Sequence, residues 1–382
     1  MKKVFIISAV LLAVTLLILG VYNFGFKAIE NSAQPKQANQ SAEQTKSTTT
    51  EIANKKTEKI TLVSNEPVLG PVADKKTEKV FYYSGSNGTI WQVDNDGLNR
   101  VQVSDVKIAG LVSAVWSPDR LKSLTTIEQE GKRSFFLYDN VKKTSTSLKE
   151  GLDNVTWDSL GAKIIYKYYD SKSKKRSLSV ADPDGRNWST LIAEIPFRNL
   201  SVAAIPSTSI ISFWNSPNSV EESNLQIISA TGGQVKNIFK GKFGADYLWS
   251  PDGNRALVSS LVSKESKIMT LGVVDLQGQY RDLGIPTIAS KCAWSVDGKT
   301  IYYALPGAIP SGSNMPNDYQ DKKFLTQDTF WKINIANNSK ERIVELTDIQ
   351  GAFDVSNLFL SATEDGLFFI NRVDGKLYRI AF

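Results

Sequence analysis

The chain opens on Lys2 and Lys3, followed by an almost unbroken apolar run from Val4 to Gly20 that continues through Val21, Tyr22 and Phe24 to Phe26. A run of that length can cross a hydrocarbon core of about 30 Å. It predicts a transmembrane signal anchor over residues 1–26. A cleaved signal peptide, the alternative, has a shorter apolar core ending at a small-x-small site, whereas this run ends in GVYNFGF. No cysteine stands at the end of the run, which argues against a lipoprotein. Residues 27–58 then change to Ser, Thr, Gln, Ala, Asn and Lys. Such a segment lacks the apolar surface to fold, so it reads as a flexible linker. With Lys2 and Lys3 kept in the cytoplasm, everything after Phe26 is expected outside, as a single-pass protein of the cell membrane, on a bacterial envelope.

Beyond residue 58 the apolar positions fall into short runs rich in β-branched and aromatic residues, the pattern of half-buried strands. The runs repeat. Trp116, Trp157, Trp249 and Trp294 each end one (SAVW, NVTW, DYLW, KCAW), and each is followed by a turn: SPDR, DSLG, SPDG, SVDG. The first two tryptophans are 41 residues apart and the last two 45. The 92 residues between Trp157 and Trp249 hold a further unit, with Ala204 in the tryptophan position. After each turn come three more strand-like runs, such as KTIYYAL, TFWKINI and RIVELT. Four strands in a period of about 45 residues, without helical periodicity, predict an all-β fold, a β-propeller of four-stranded blades.

First strands near Val68, Val112, Asn154, Ser201, Ala245, Lys291 and Ala352 give seven blades. Six or eight are the alternatives, because the first and last units are weak. The last unit is one strand short, and KITLVSN at residues 59–65 can supply it, closing a propeller that spans 59–382 and hiding its sheet edges.

These motifs resemble the TolB-type, WD-repeat-like propellers, whose blades carry WSPDG after the first strand and D-x-D-G-x-N after the third. The second signature stands here as DNDGLN at 94–99 and DPDGRN at 182–187. The resemblance implies fold more than function, since such blades serve periplasmic assembly proteins and peptidase propellers alike.

The net charge of +6 belongs partly to the N-terminus: seven lysines and four glutamates lie in residues 1–58, leaving +3 for the rest. That near balance gives no nucleic-acid footprint. Histidine is absent, which removes Ser-His-Asp and Cys-His catalysis and histidine-bound zinc. Cys292, the single cysteine, reads as a buried thiol in a first strand. Gly298, Lys299 and Thr300 resemble the tail of a phosphate loop, but the required earlier glycine is Ala293 and a strand follows instead of a helix. The Asp-Gly turns lack the full ligand series of a calcium loop, so no metal and no cofactor are expected. Trp116, Trp157, Trp249, Asp252, Gly253, Trp294, Asp297 and Gly298 read as structural punctuation: an aromatic wedge and a tight turn. The carboxylate pair Glu221 and Glu222 suits a glycosidase in principle and a solvated loop more simply.

Strand alternation puts both repeated turns on one face of the ring. The other face receives the irregular loops at 170–176, 215–224 and 263–267, and an insertion at 306–329 in the sixth unit. Long loops in compact domains carry function, so Asn314, Asp318, Tyr319, Asp321, Lys322, Lys323 and Phe324 are the candidate binding residues. With no histidine, no nucleophile motif and no hydrolase domain, the sequence predicts a non-catalytic module binding an envelope protein, peptide or glycan. The alternatives are an envelope glycosidase or lyase using carboxylates in the central pocket, and a structural spacer.

Overall fold

The computed structural model describes residues 58–382. The anchor expected over 1–26, and all of the 27–58 linker except its last residue, lie outside the described residues. Among the described residues no helix is long and apolar enough to cross a membrane.

Seven antiparallel sheets of four strands form the ring, so the fold is a seven-bladed β-propeller. Six blades run consecutively: residues 68–104, 111–147, 152–192, 200–243, 246–285 and 292–342. The seventh takes its three inner strands from 355–381 and its outer strand, Ile60–Leu62, from the start of the domain. Ile60 pairs with Ile380 and Leu62 with Tyr378, so the ring is closed by joining its two ends. Observed blade starts lie within three residues of those read from the sequence. The largest shift is in the last blade, which begins at Val355 rather than Ala352. Lys291 does not open the sixth blade. It ends a 3-10 turn, Ala289–Lys291, that precedes Cys292–Trp294.

The core lies between blades. Each adjacent pair shares one apolar layer, from the Tyr83, Ile90 and Trp116 cluster of blades 1 and 2 to the Val68, Tyr82 and Phe368 cluster that joins blade 1 to blade 7. Alternating side chains on two-sided sheets produce this arrangement: every blade has a neighbour on each face, so both faces are apolar.

The repeated tryptophans work as inter-blade ties. The indole N–H of Trp116 donates to Gly70 O at 2.7 Å, Trp157 to Val115 O at 2.9 Å and Trp294 to Leu248 O at 3.0 Å. Each acceptor is on the inner strand of the preceding blade. Trp249 reaches the same strand indirectly, donating to Ser212 Oγ at 2.8 Å while Ser212 donates to Ala203 O at 2.9 Å. The turn that follows is also internally bonded. Ser250 Oγ donates to Asp252 Oδ1 at 2.5 Å and Ser295 Oγ to Asp297 Oδ1 at 2.6 Å. Gly253 has φ +70, and a Cβ there would meet Pro206 O at 2.3 Å.

In the Asp-Gly signatures a lysine supplies the cation. Lys79 Nζ lies 2.5 Å from Asp94 and Lys163 Nζ 2.6 Å from Asp182. Asn99 and Asn187 donate to the same two carboxylates. These bonds hold both aspartates below the usual carboxylate range.

Candidate functional site

On the face opposite the repeated turns, a polar cleft of about 750 Å³ lies between blades 3 and 4. Asp153, from the start of the inner strand Leu152–Trp157, lines it beside Lys167 from the second strand Ile164–Asp170. Arg198 and Asn199 come from the link between the blades, and Glu221 and Glu222 from the second hairpin of blade 4. Three carboxylates and two cations therefore share one cleft, with Phe197 and Leu200 as its apolar wall.

Lys167 interrupts an apolar strand, IIYKYYD, and is 1% exposed. A buried ammonium requires paired partners. Its Nζ contacts the Asp153 carboxylate and donates to the Arg198 carbonyl. Asp153 keeps about half its side chain exposed (51%), so the carboxylate is both fixed from below and open to the cleft. Glu222 Oε1 accepts the Gly241 N–H at 2.8 Å. Among the described residues, the Glu221 carboxylate and the Arg198 guanidinium have no hydrogen bond or ion pair, and both groups are exposed.

The blade 6 insertion crosses the mouth of the ring beside this cleft. Its limits are narrower than the sequence suggested, because the strand ladder runs on to the Gly307 and Gln327 pair. What remains is a loop over 308–326 with one helical turn, Asn317–Gln320. Tyr319 points inward. Its hydroxyl donates to Asp354 Oδ1 at 2.6 Å, its carbonyl accepts from Arg372 Nη2 at 3.0 Å, and the Arg372 guanidinium lies 3.9 Å from its ring centroid.

Below Tyr319 lies a buried ionic cluster. Lys291, fully buried, donates to Asp328 Oδ2 at 2.5 Å, Asp354 Oδ1 at 2.7 Å, Val355 O at 2.9 Å and Thr326 Oγ1 at 3.0 Å. Burial works to raise the Asp354 pKa, but the Lys291 ammonium, the Tyr319 hydroxyl and Arg372 hold it below the usual range. Asp328 goes the other way: burial raises it despite Lys291. Burial and the neighbouring Asp354 push Tyr319 far up, so it stays a neutral donor.

Of the other candidate residues, Asp318 bonds Lys323 at 2.6 Å and accepts the Asn314 N–H at 2.7 Å, while Asp321 lies 3.7 Å from Lys323. These exposed groups fix the loop to itself. Phe324 packs on Tyr319, with ring centroids 5.9 Å apart. Lys322 lines a smaller cavity of about 290 Å³ together with Asp246, Tyr319 and Arg372. Gln320 lines both cavities. The structure does not bring the seven residues together as one surface. Cys292 is buried against Ile288 O, and burial pushes its thiol up.

Sequence reasoning passed over Asp153, Lys167 and Arg198. The available signal was Lys167, a lysine inside an apolar strand. Glu221 and Glu222 sit on a cleft wall instead of a plain solvated loop.

The sequence matches no protein-family model and no curated protein. Solved structures are similar in fold. An oligogalacturonate lyase in complex with manganese superposes with TM-score 0.60 at 13% identity, over 85% of this chain and 93% of that one. An oligogalacturonate lyase from Vibrio parahaemolyticus gives 0.59 at 12%, over 84% and 93%. The β-propeller domain of the Trilobed protease from Pyrococcus furiosus gives 0.54 at 13%, over 82% and 95%. TolB structures are also among the neighbours, at TM-score 0.46.

The lyases overturn the expectation that the chain is not an enzyme. They are enzymes with this propeller fold, so the architecture does not argue against catalysis, and missing histidine removes only histidine chemistry. Among the described residues no group of three or more His, Cys, Asp or Glu is placed so as to hold a metal ion. Where two aspartates do meet in the core, the Lys291 ammonium lies between them. At these identities the similarity is one of fold: this chain is built on the seven-bladed propeller architecture that the lyases share.

Proposed function

We propose that the cleft between blades 3 and 4 binds an oligosaccharide and cleaves it, with carboxylates as the acid and base groups. The observation that carries this reading is that Asp153, Glu221 and Glu222 line a single cleft together with Lys167 and Arg198. Glycoside cleavage needs one carboxyl group to protonate the leaving oxygen and another to activate water or stabilise positive charge at the anomeric carbon. Glu221, with no cation against it among the described residues, is the proton donor in this reading. Asp153, held by Lys167, is the second carboxylate. Asn199 adds an amide group suited to sugar hydroxyls.

Arg198 favours a second reading, elimination on a uronate. A guanidinium with no anionic partner is a natural contact for a sugar carboxylate, and the similar-fold lyases are named for oligogalacturonate. A carboxylate would then take the proton from the carbon beside the uronate carboxyl group, the C–O bond on the next carbon would break, and a second carboxyl group would protonate the leaving oxygen, giving an unsaturated uronate end.

The proposal also places this propeller outside the cell on an N-terminal membrane anchor, with a glycan of the envelope or its surroundings as partner. The apolar run over residues 4–26 supports that placement.

The test is to incubate the full-length chain with galacturonate, chitin-type and neutral glucan oligomers. New reducing ends without ultraviolet absorbance indicate hydrolysis, and an absorbing unsaturated uronate indicates elimination. If no oligomer is bound or cleaved, the reading is wrong.

A further inference from the structure

We infer that the blade 6 insertion is a fixed wall at one end of the cleft, with Gln320 as the partition and Tyr319 as the positioning residue. The site then accepts chain ends or short oligomers, not the middle of a long polymer. This rests on reading the cleft as an oligosaccharide site.

Two cavities lie side by side on the loop face, one of about 750 Å³ and one of about 290 Å³. They have only Pro217 and Gln320 in common as lining residues. Pro217 belongs to the loop of blade 4, and Gln320 ends the helical turn of the insertion. The smaller cavity is lined by residues of blades 4 to 7, and its Asp246, Ser259, Ser290, Ser356 and Arg372 would offer further polar contacts. An extended chain lying in the cleft therefore meets Gln320 before it reaches them.

The partition is held from several blades. Asn317 Oδ1 accepts the Ser219 N–H of blade 4 at 2.9 Å. Lys267 of blade 5 donates to Gly312 O at 2.9 Å. Asp354 and Arg372 of the last blade hold Tyr319, the residue before Gln320. Met315 and Tyr319 also pack against Leu261, Met269 and Ile288. Opening the wall would expose that apolar patch and break the Tyr319 bond to a buried carboxylate, so the resting position is the closed one.

The experiment is calorimetric titration of the full-length chain with length series of the same three oligomer types. Affinity of the wild type is expected to rise with length and then level off. Gln320→Gly removes the partition and leaves the buried cluster untouched. It should move the plateau to longer oligomers, with a gain of about tenfold for those that reach the second cavity, the worth of one or two added hydrogen bonds, and no change for the shortest. Tyr319→Phe keeps the ring under Arg372 and should leave the plateau where it is, whereas Tyr319→Ala should move it. A wild-type affinity that keeps rising up to the polymer, or a Gln320→Gly variant with normal unfolding and an unmoved plateau, overturns the wall. Absence of binding by any oligomer overturns the cleft reading itself, and the wall with it.

Discussion

Tyr319 donates its hydroxyl to Asp354 Oδ1 at 2.6 Å, and the same oxygen accepts from Lys291 at 2.7 Å and from Thr326 at 2.9 Å. The tyrosine that docks the insertion thus closes the same ionic cluster that joins blades 6 and 7. Docking of the insertion and stability of the ring are coupled at this carboxylate.

The coupling predicts a hierarchy. Tyr319→Phe removes one of several donors and should cost about 1 kcal/mol. Lys291→Ala leaves Asp328 buried without its cation and Asp354 with Arg372 alone, and should cost about 3 to 5 kcal/mol. Urea unfolding of the two variants measures the difference. Equal losses would show that Lys291 is not the centre of the cluster.

The tryptophan ties predict a second difference. Trp157→Phe keeps the aromatic wedge but removes the inter-blade hydrogen bond to the Val115 carbonyl, at about 1 kcal/mol. In Trp249→Phe the orphaned acceptor is Ser212 Oγ, which still donates to Ala203 O. Its loss should be the smaller of the two by the same measurement.

Acid should weaken the fold through its turns. Asp94, Asp182, Asp252 and Asp297 are held below the usual range, the first two chiefly by lysines and the last two by serine hydroxyls. A carboxylate depressed in the folded state adds stability above its unfolded pKa of about 3.9 and loses it as the pH falls through the folded value. The urea midpoint should therefore drop below about pH 4, and less steeply when Asp94 and Asp182 are both replaced by asparagine.

Asp246 behaves in the opposite sense. Burial raises its pKa, against the N–H of Trp214 at 3.1 Å. The charged form is thus penalised in the folded state, and the penalty is complete above the folded pKa. Asp246→Asn keeps the acceptor and should raise the urea midpoint at neutral pH, with the gain vanishing in acid. A lower midpoint at neutral pH would mean that the charge is needed.

In the cleft, Glu221→Gln and Asp153→Asn should each lower turnover by about 10² to 10⁴. Glu221 has no bonded partner among the described residues, so its change should leave stability within about 0.5 kcal/mol. Asp153→Asn should also destabilise, because Lys167 loses its anion. If both variants retain full turnover, the assigned roles are wrong.

What the sequence determined by itself was everything that repeats. Tryptophan spacing, turn chemistry and alternating strands are local, so the four-stranded blade and the loop face could be read from Trp116 to Trp294, whereas seven blades stood beside six or eight because the first and last units are weak. The sites break the repeat, and each is assembled from distant segments. Asp153 and Lys167 are ordinary residues until two strands bring them into contact, and Arg198 and Glu221 join them only across a blade boundary. Lys291, Tyr319, Asp328 and Asp354 come from four separate stretches of the last two blades. An isolated lysine or aspartate in the sequence reads as surface, because charge alone favours solvent. Only the closed ring, by burying these groups together, decided that they pair with one another.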